Sequence, residues 1–558
     1  MTKERIIIVG GLSAGPSAAA KARRTNEECE ILLFEKTANI SYATCGIPYA
    51  LSGRIKDRDK LMVVKADLLR KRFNIDVHLN EPVHKIDTKK KTIVTNKGEY
   101  EYTKLVFATG GTSVTPPIEG LAEYEKWSHC KTIENYDKIV ADGVLEDKKN
   151  FTVVGAGLIG IEVAENLQRA GKNVTVVELA PYVLPIYDEK FATLAGKVLE
   201  DNGIDVRTGV SLQKIDAENN QLHLSDGSVL DTDYMLMGVG VKPNTELLLK
   251  EGAEHLKNGA IIVNEKMETS IPDVYAAGDC ASITNRITGQ SDFFPMGTHS
   301  NKCGRAAGAN AAGGNEQFGG AYGTAIVKVF DYTLARTGMN PRRLEKEGIP
   351  YQSTLVIVGA TPGFYGTPKD LIVEIYYHAE TKVLLGAEVF GEKGVDKRID
   401  VLSACIYAKL TIDDLPNLDL AYAPPFSPAK DAVIVAGYVA QNSSKGDFDE
   451  INSLELKQYL AETVDEFQLV DVRNPVELQK QGKIKGAINL PLDGMRDQLD
   501  QLDKAKETIV YCAKGLRGYL ATMILLHNGF TNVSNLSGGF TAWNKIVGEV
   551  EMPVEELV

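Results

Sequence analysis

The stretch that decides the fold is Thr152-Val153-Val154-Gly155-Ala156-Gly157-Leu158-Ile159-Gly160. An apolar run leads into a G-x-G-x-x-G loop, a helix is predicted over Glu162 to Ala170, and a strand over Val174 to Val177 closes on Glu178. Strand, glycine turn, helix, strand and acid in that order make a dinucleotide-binding unit. Amides at the helix N-terminus meet a pyrophosphate, and the closing carboxylate accepts from ribose hydroxyls. Gly155, Gly157, Gly160 and Glu178 are therefore predicted cofactor contacts. Glu178 would repel a 2′-phosphate, which favours NADH over NADPH.

The same order occurs once before. Ile6-Ile7-Ile8-Val9 runs into Gly10-Gly11-Leu12-Ser13-Ala14-Gly15, an alanine-rich helix spans Ser17 to Arg24, and the next strand ends in Glu35, followed by Lys36. This loop departs from the pattern: Leu12 replaces the second glycine and Gly11 comes one place early. Ala108-Thr109-Gly110, after Leu105-Val106-Phe107, reads as another strand end approaching the same ligand. Gly278-Asp279 places a carboxylate where it can bond a polyol chain. Between these lies Ser41-Tyr42-Ala43-Thr44-Cys45-Gly46-Ile47-Pro48-Tyr49, a turn of small residues around one cysteine.

At 558 residues the chain predicts three or four domains, and 44% apolar with 25% charged residues is ordinary for a globular protein. A net charge of −13 argues against nucleic acid or an anionic membrane as partner. Seven cysteines without a CxxC pair suit a reducing compartment rather than a disulfide framework, and no metal site is expected. The first strand begins near Met1, leaving no room for a signal peptide, so a cytoplasmic protein is expected.

Together, Gly10-Gly11 with Gly15, Glu35, Ala108-Thr109-Gly110, the Gly155–Gly160 loop and Gly278-Asp279 resemble the two-dinucleotide-fold flavoprotein disulfide reductases. Ser41 to Tyr49 resembles their single-cysteine branch, most closely the coenzyme A-disulfide reductases. The resemblance covers Met1 to Gln441. It implies FAD in the first fold, with Lys36 and Ser41 among its contacts, NAD(P)H in the second, and then a dimerisation domain that makes a homodimer. Tyr422, in Ala421-Tyr422-Ala423-Pro424-Pro425, matches a tyrosine that reaches the other subunit's cysteine. Tyr365, in Phe364-Tyr365-Gly366, falls where the family has a second functional tyrosine, although here no proline follows. Beyond Gln441, Leu469 to Arg473, Gly482 to Pro491, Tyr511-Cys512-Ala513-Lys514-Gly515-Leu516-Arg517-Gly518 and Leu536 to Phe540 resemble a single-domain rhodanese, which implies a persulfide on Cys512.

The expected architecture is α/β: two Rossmann-like domains, an α+β dimerisation domain and an α/β rhodanese domain. The expected bounds are 1–115 with 250–324 for FAD, 116–249 for NAD(P)H, 325–440 for dimerisation, 441–447 as linker and 448–558 for rhodanese. In the Cys512 loop, inward amides with Lys514, Gly515 and Arg517 would stabilise a thiolate or persulfide anion. Cys45 has no cysteine within fifteen residues, so its oxidised state must join it to something else: a mixed disulfide, a persulfide or a sulfenic acid. Basic residues gather at Lys21, Arg23, Arg24, Lys71 and Arg72, and the resemblance implies coenzyme A there, with Ser41 and Tyr42 along its arm. The expected activity is NADH-dependent reduction of coenzyme A persulfide or disulfide at Cys45, with Cys512 carrying sulfane sulfur from low-molecular-weight persulfides. Two alternatives stand beside it. One is an NADH oxidase or peroxidase, whose family members carry a histidine where this chain has Ser13. The other is a persulfide sensor or sulfur-relay protein. Cys29, Cys130, Cys280, Cys303 and Cys405 are read as structural.

Overall fold

The computed structural model describes residues 4–446, 448–462 and 467–552, so the last residue of the expected linker, Asp447, lies outside the described residues. The chain forms two compact units, Met1–Leu184 with Leu199–Gly323, and Pro185–Val198 with Thr324–Val558. The first holds two five-stranded parallel sheets. In one, the strand order is Val274–Ala276, Lys104–Phe107, Arg5–Val9, Glu30–Phe34, Asp76–His78. In the other it is Asp205–Thr208, Asn173–Glu178, Asn150–Val154, Tyr234–Met237, Trp127–His129. In each sheet the order reverses beside the strand that feeds the glycine loop, which opens a crevice at the strand ends.

Both loops are tighter than the sequence suggests. The helices begin at Ala14 and Leu158, inside the glycine patterns, because Gly15 and Gly160 sit in the first turn against the preceding loop. A Cβ on Gly15 would lie 1.8 Å from the Gly10 carbonyl oxygen, and one on Gly160 1.9 Å from that of Gly155. The helix Gly297–Ala311 crosses the helix Ala14–Thr25 with equal closeness. Added methyls at Gly304 and Gly308 would lie 2.3 Å from Ala14 O and 2.1 Å from Ala18 O.

The second unit holds an antiparallel sheet, in the order Ala325–Val329, Tyr332–Gly338, Leu384–Gly391, Asp370–His378, Tyr351–Gly359. It also holds a parallel sheet, in the order Asp449–Ile451, Val533–Leu536, Glu507–Tyr511, Phe467–Asp471, Ile488–Asn489. The linker expected over 441–447 is helical as far as Ser444. The helix Ala432–Ser444 continues through Gln441, whose amide donates to Asp413 at 3.0 Å, and its last four polar residues are half-buried. Among the described residues no helix is long and apolar enough to cross a membrane.

Pro185–Val198, expected within the nucleotide domain over 116–249, belongs to the second unit, and charge explains the placement. Glu374 and Glu388 face each other directly across neighbouring strands and are both buried. Like charges so placed repel. Lys190 enters between them and Asp188, 3.3 Å from Glu374 and 3.0 Å from Asp188, while the Asp188 N–H donates to the Glu388 carboxylate at 3.0 Å. Burial pushes the Glu388 carboxyl up to about 8, Arg336 offsetting part of the rise and Asp188 adding to it.

Two predictions follow from the packing and the charge. Gly308→Ala forces a methyl into the Ala18 carbonyl and should cost about 3 kcal/mol, read from the denaturation midpoint. For Glu388, the folded chain holds its proton more tightly than the unfolded chain does. That stabilisation is fully present below the ordinary carboxylate range and is lost as pH rises through about 8. Glu388→Gln should therefore flatten the fall in thermal midpoint between about pH 5 and pH 8.

Candidate active site

Cys45 is exposed at the centre of a short 3₁₀ turn, Thr44–Gly46, that leads into the helix Ile47–Leu51. What holds this turn in place is Ser41. Its φ is +46°, a left-handed conformation that costs about 1–3 kcal/mol and persists only when its surroundings impose it. Here the Ser41 N–H donates to Gly11 O at 2.9 Å, and the N–H groups of Val63 and Val64 donate to Ser41 O at 2.7 and 3.2 Å. The cysteine is thereby tied to the first glycine loop. A Cβ on Gly46 would lie 2.6 Å from the end of the Leu61 side chain, which would have to shift.

A cavity of about 910 Å³ runs from the Gly10-Gly11 loop past Cys45. Glu35, Ser41, Tyr42, Ala108, Thr109, Gly110 and Asp279 line it together. The cradle fits an elongated dinucleotide such as FAD. Gly10, at φ +111°, lets the loop backbone close to where a Cβ would be 2.1 Å from Ala108 O. Glu35 braces the loop by accepting from Gly11 N–H at 2.8 Å and Thr37 N–H at 2.9 Å. Asp279 accepts from the Ser300 hydroxyl at 3.1 Å. The second fold repeats the device, with Glu178 accepting from Ala156 N–H at 2.6 Å and Ala180 N–H at 2.8 Å. Its helix brings Ile159 and Glu162 to the wall of the same cavity.

The expected basic cluster divides. Arg24 and Arg72 line the cavity, but Lys21, Arg23 and Lys71 do not. Arg23 lies on the other face of the helix, 5% exposed, where its guanidinium donates to the carbonyls of Phe73, Asn74, Glu27 and Cys29. Two of those carbonyls end the helix Ala66–Phe73 and have no partner within it, so Arg23 is a structural clamp. Lys21 is paired with Glu316 at 2.6 Å, and Lys71 points to solvent. Lys36 is likewise exposed and off the cavity wall.

Four residues that the sequence reading missed belong to the wall. Arg305 and Asn301 come from Gly297–Ala311, a helix whose fit against Ala14–Thr25 rests on the Gly304–Gly308 spacing, a signal that was available. Lys131 donates to Gly111 O at 2.7 Å and lies 3.9 Å from Asp279, and burial lowers its ammonium. Glu162, two places after Gly160, accepts from the Tyr49 hydroxyl at 3.3 Å, and burial pushes its carboxyl up to about 7. Cys130, Cys303 and Cys405 are buried, and burial raises their thiols to about 12, 12 and 11.

In the second unit, Cys512 is 2% exposed at the end of the strand Glu507–Tyr511. Gly515, at φ +116°, donates its N–H to the sulfur at 3.1 Å. Phe540 N–H donates to Cys512 O at 2.8 Å and Thr541 N–H to Ala513 O at 2.9 Å, locking the loop. Both cations of the loop are committed elsewhere. Lys514 pairs with Asp370 at 2.6 Å, and Arg517 makes a two-pronged pair with Glu477 at 2.7 Å on each arm. Tyr365, at the end of the 3₁₀ turn Gly363–Tyr365, and Tyr422, on a loop of this unit, are 53% and 49% exposed.

Comparison with known proteins agrees with this geometry. The pyridine nucleotide-disulphide oxidoreductase family matches residues 4–307, its dimerisation domain 324–433, and the rhodanese-like domain 454–546. The chain is 34% identical to the NAD(P)H coenzyme A polysulfide/persulfide reductase of Pyrococcus horikoshii over 78% of its own length and 98% of that protein. It is equally identical to an NADH oxidase of Methanocaldococcus jannaschii, over 77% and 97%. A NAD-dependent persulfide reductase from A. fulgidus superposes with a TM-score of 0.89 at 35% identity, over 97% of this chain and all of that one. The chain belongs to the pyridine nucleotide-disulphide oxidoreductase family, extended by a dimerisation domain and a rhodanese-like domain.

Proposed function

We propose that the chain is an FAD-dependent reductase that uses NADH, or NADPH, to reduce coenzyme A persulfide and coenzyme A disulfide at Cys45, with Cys512 handling sulfane sulfur. The observation that carries this reading is one exposed thiol on the wall of a cavity that also presents a dinucleotide cradle and the guanidinium groups of Arg24 and Arg72. A nucleotide ligand with several phosphates needs such guanidinium groups, and a thiol at the end of its arm needs Cys45.

The Cys45 thiolate attacks the inner sulfur of the persulfide. The sulfur–sulfur bond breaks, hydrosulfide leaves with the electron pair, and Cys45 is left in a mixed disulfide with coenzyme A. With coenzyme A disulfide the leaving group is a coenzyme A thiolate. FAD, when bound, supplies the electron pair taken from NADH that returns the mixed disulfide to two thiolates. Tyr422, exposed on its loop, is offered to the cysteine of a second subunit, where its hydroxyl protonates the departing thiolate. The dimerisation domain and the exposed Ile326, Tyr407 and Phe426 on it support a homodimer. The carboxylate of Glu178, held beside the second glycine loop, favours NADH. All seven cysteines are unpaired, which suits the cytoplasm. A sulfenic-acid cycle at Cys45 would leave Cys512 without a task.

Anaerobic turnover with NADH and coenzyme A persulfide, followed by hydrosulfide release, tests the reading: Cys45→Ser should lower the rate roughly a thousandfold. Sulfide release that survived this substitution would refute the scheme. The two neighbouring arginines should behave differently. Arg24→Ala should raise KM for coenzyme A substrates roughly tenfold. Arg23→Ala should leave that KM in place and lower stability by about 3 kcal/mol, in melting and steady-state assays run side by side.

A further inference from the structure

The two loop cations beside Cys512 bear on which sulfur donor the loop accepts. A sulfur oxyanion such as thiosulfate brings two negative charges and expels a third species, sulfite, that keeps them. Its binding and departure require cations whose charge is not already spent. In this loop both are spent. Arg517 is held by Glu477 through two parallel bonds at 2.7 Å, the strongest geometry available to a guanidinium and carboxylate. Lys514 is held at 2.6 Å by Asp370, which comes from the antiparallel sheet and not from the rhodanese-like domain. Arg473, four residues before Glu477, is fully buried against Asp471. Between the two paired cations sits Leu516, 72% exposed, which places an apolar side chain at the rim of the loop beside them. Directly at the sulfur the loop offers a neutral donor, the Gly515 N–H.

We propose that Glu477 and Asp370 are specificity-determining residues that cancel the loop's positive charge and so restrict Cys512 to organic persulfides, thiols carrying one sulfane sulfur on an aliphatic arm, against sulfur oxyanions. This rests on the role of Cys512 as the sulfur carrier given above. In the step itself the Cys512 thiolate attacks the outer sulfur of R–S–SH. The sulfur–sulfur bond of the donor breaks, a new one forms to Cys512, R–S⁻ leaves with the electron pair, and the proton stays on the transferred sulfur. No external oxidant or reductant is required. Only one negative charge moves, from Cys512 to the leaving thiolate, and an amide donor with an apolar rim suits that better than a pair of free cations would.

The test is sulfur loading of Cys512 in the full chain without NADH, followed by rapid quench and intact mass, with glutathione persulfide and thiosulfate as donors. The second-order rate constant should favour the organic persulfide by roughly a hundredfold. Glu477→Gln preserves the bond in which Glu477 accepts from Asn474 N–H at 3.0 Å, so its helix cap survives. It should raise the thiosulfate constant roughly tenfold and make it fall steeply with added salt, as a released cation requires. Asp370→Asn, in another domain, should act in the same direction through Lys514. A chain that loads equally well from thiosulfate, or a donor ratio that neither substitution moves, overturns the proposal and leaves the sulfur-carrier role standing. Failure to load from either donor overturns that role itself.

Discussion

The first unit depends on places where backbone meets backbone with nothing between. Gly10 against Ala108, Gly15 against Gly10, and Gly304 and Gly308 against Ala14 and Ala18 all close to distances that no side chain tolerates. The consequence reaches beyond the loop. Because the loop lies so close to the strand ends, Gly11 O is positioned to accept from Ser41, and Ser41 in turn fixes the turn that exposes Cys45. A steric requirement at a handful of glycines is thus converted into the position of an exposed sulfur.

Cys45 and Cys512 are held in different ways. Cys45 is exposed, on the wall of a wide cavity whose charged groups lie on several elements. Cys512 is buried at a strand end, in a loop whose geometry is set by backbone bonds to a neighbouring turn. The first arrangement suits a thiol that must meet a large partner. The second suits one that must hold a small, reactive sulfur away from water. Glu162, with its carboxyl near neutrality, adds to the first cavity a group able to hold or release a proton under ordinary conditions.

Local order along the chain made much of this legible. The glycine loops, their closing acids Glu35 and Glu178, and the isolation of Cys45 are short-range patterns with one dominant physical explanation. The charged groups were less legible because their meaning depends on helix faces and on distant partners. Arg23 and Arg24 are adjacent in sequence, yet one caps a neighbouring helix and the other faces the cavity. Lys514 and Arg517 looked like free cations because Asp370 and Glu477 lie 144 and 40 residues away. Lys131 had no local signal, since its place is set by Gly111 and Asp279. The linker expected over 441–447 begins as helix because a half-buried helical end carries the same small polar residues as a coil.

Pro185–Val198 also bears on how such a chain could have been assembled. It leaves the first unit, lends Lys190 to Glu374 and the Asp188 N–H to Glu388, and returns. The second unit is therefore not a bead that can be cut at Thr324 and moved. A half-gene beginning there would encode a sheet in which buried Glu374 has lost its ammonium partner and buried Glu388 the Asp188 N–H. Recombination that shuffles modules should respect this stitch and keep the dimerisation sheet with its nucleotide folds. The rhodanese-like end, entered through one helix, is the part that could be gained or lost by a single fusion event.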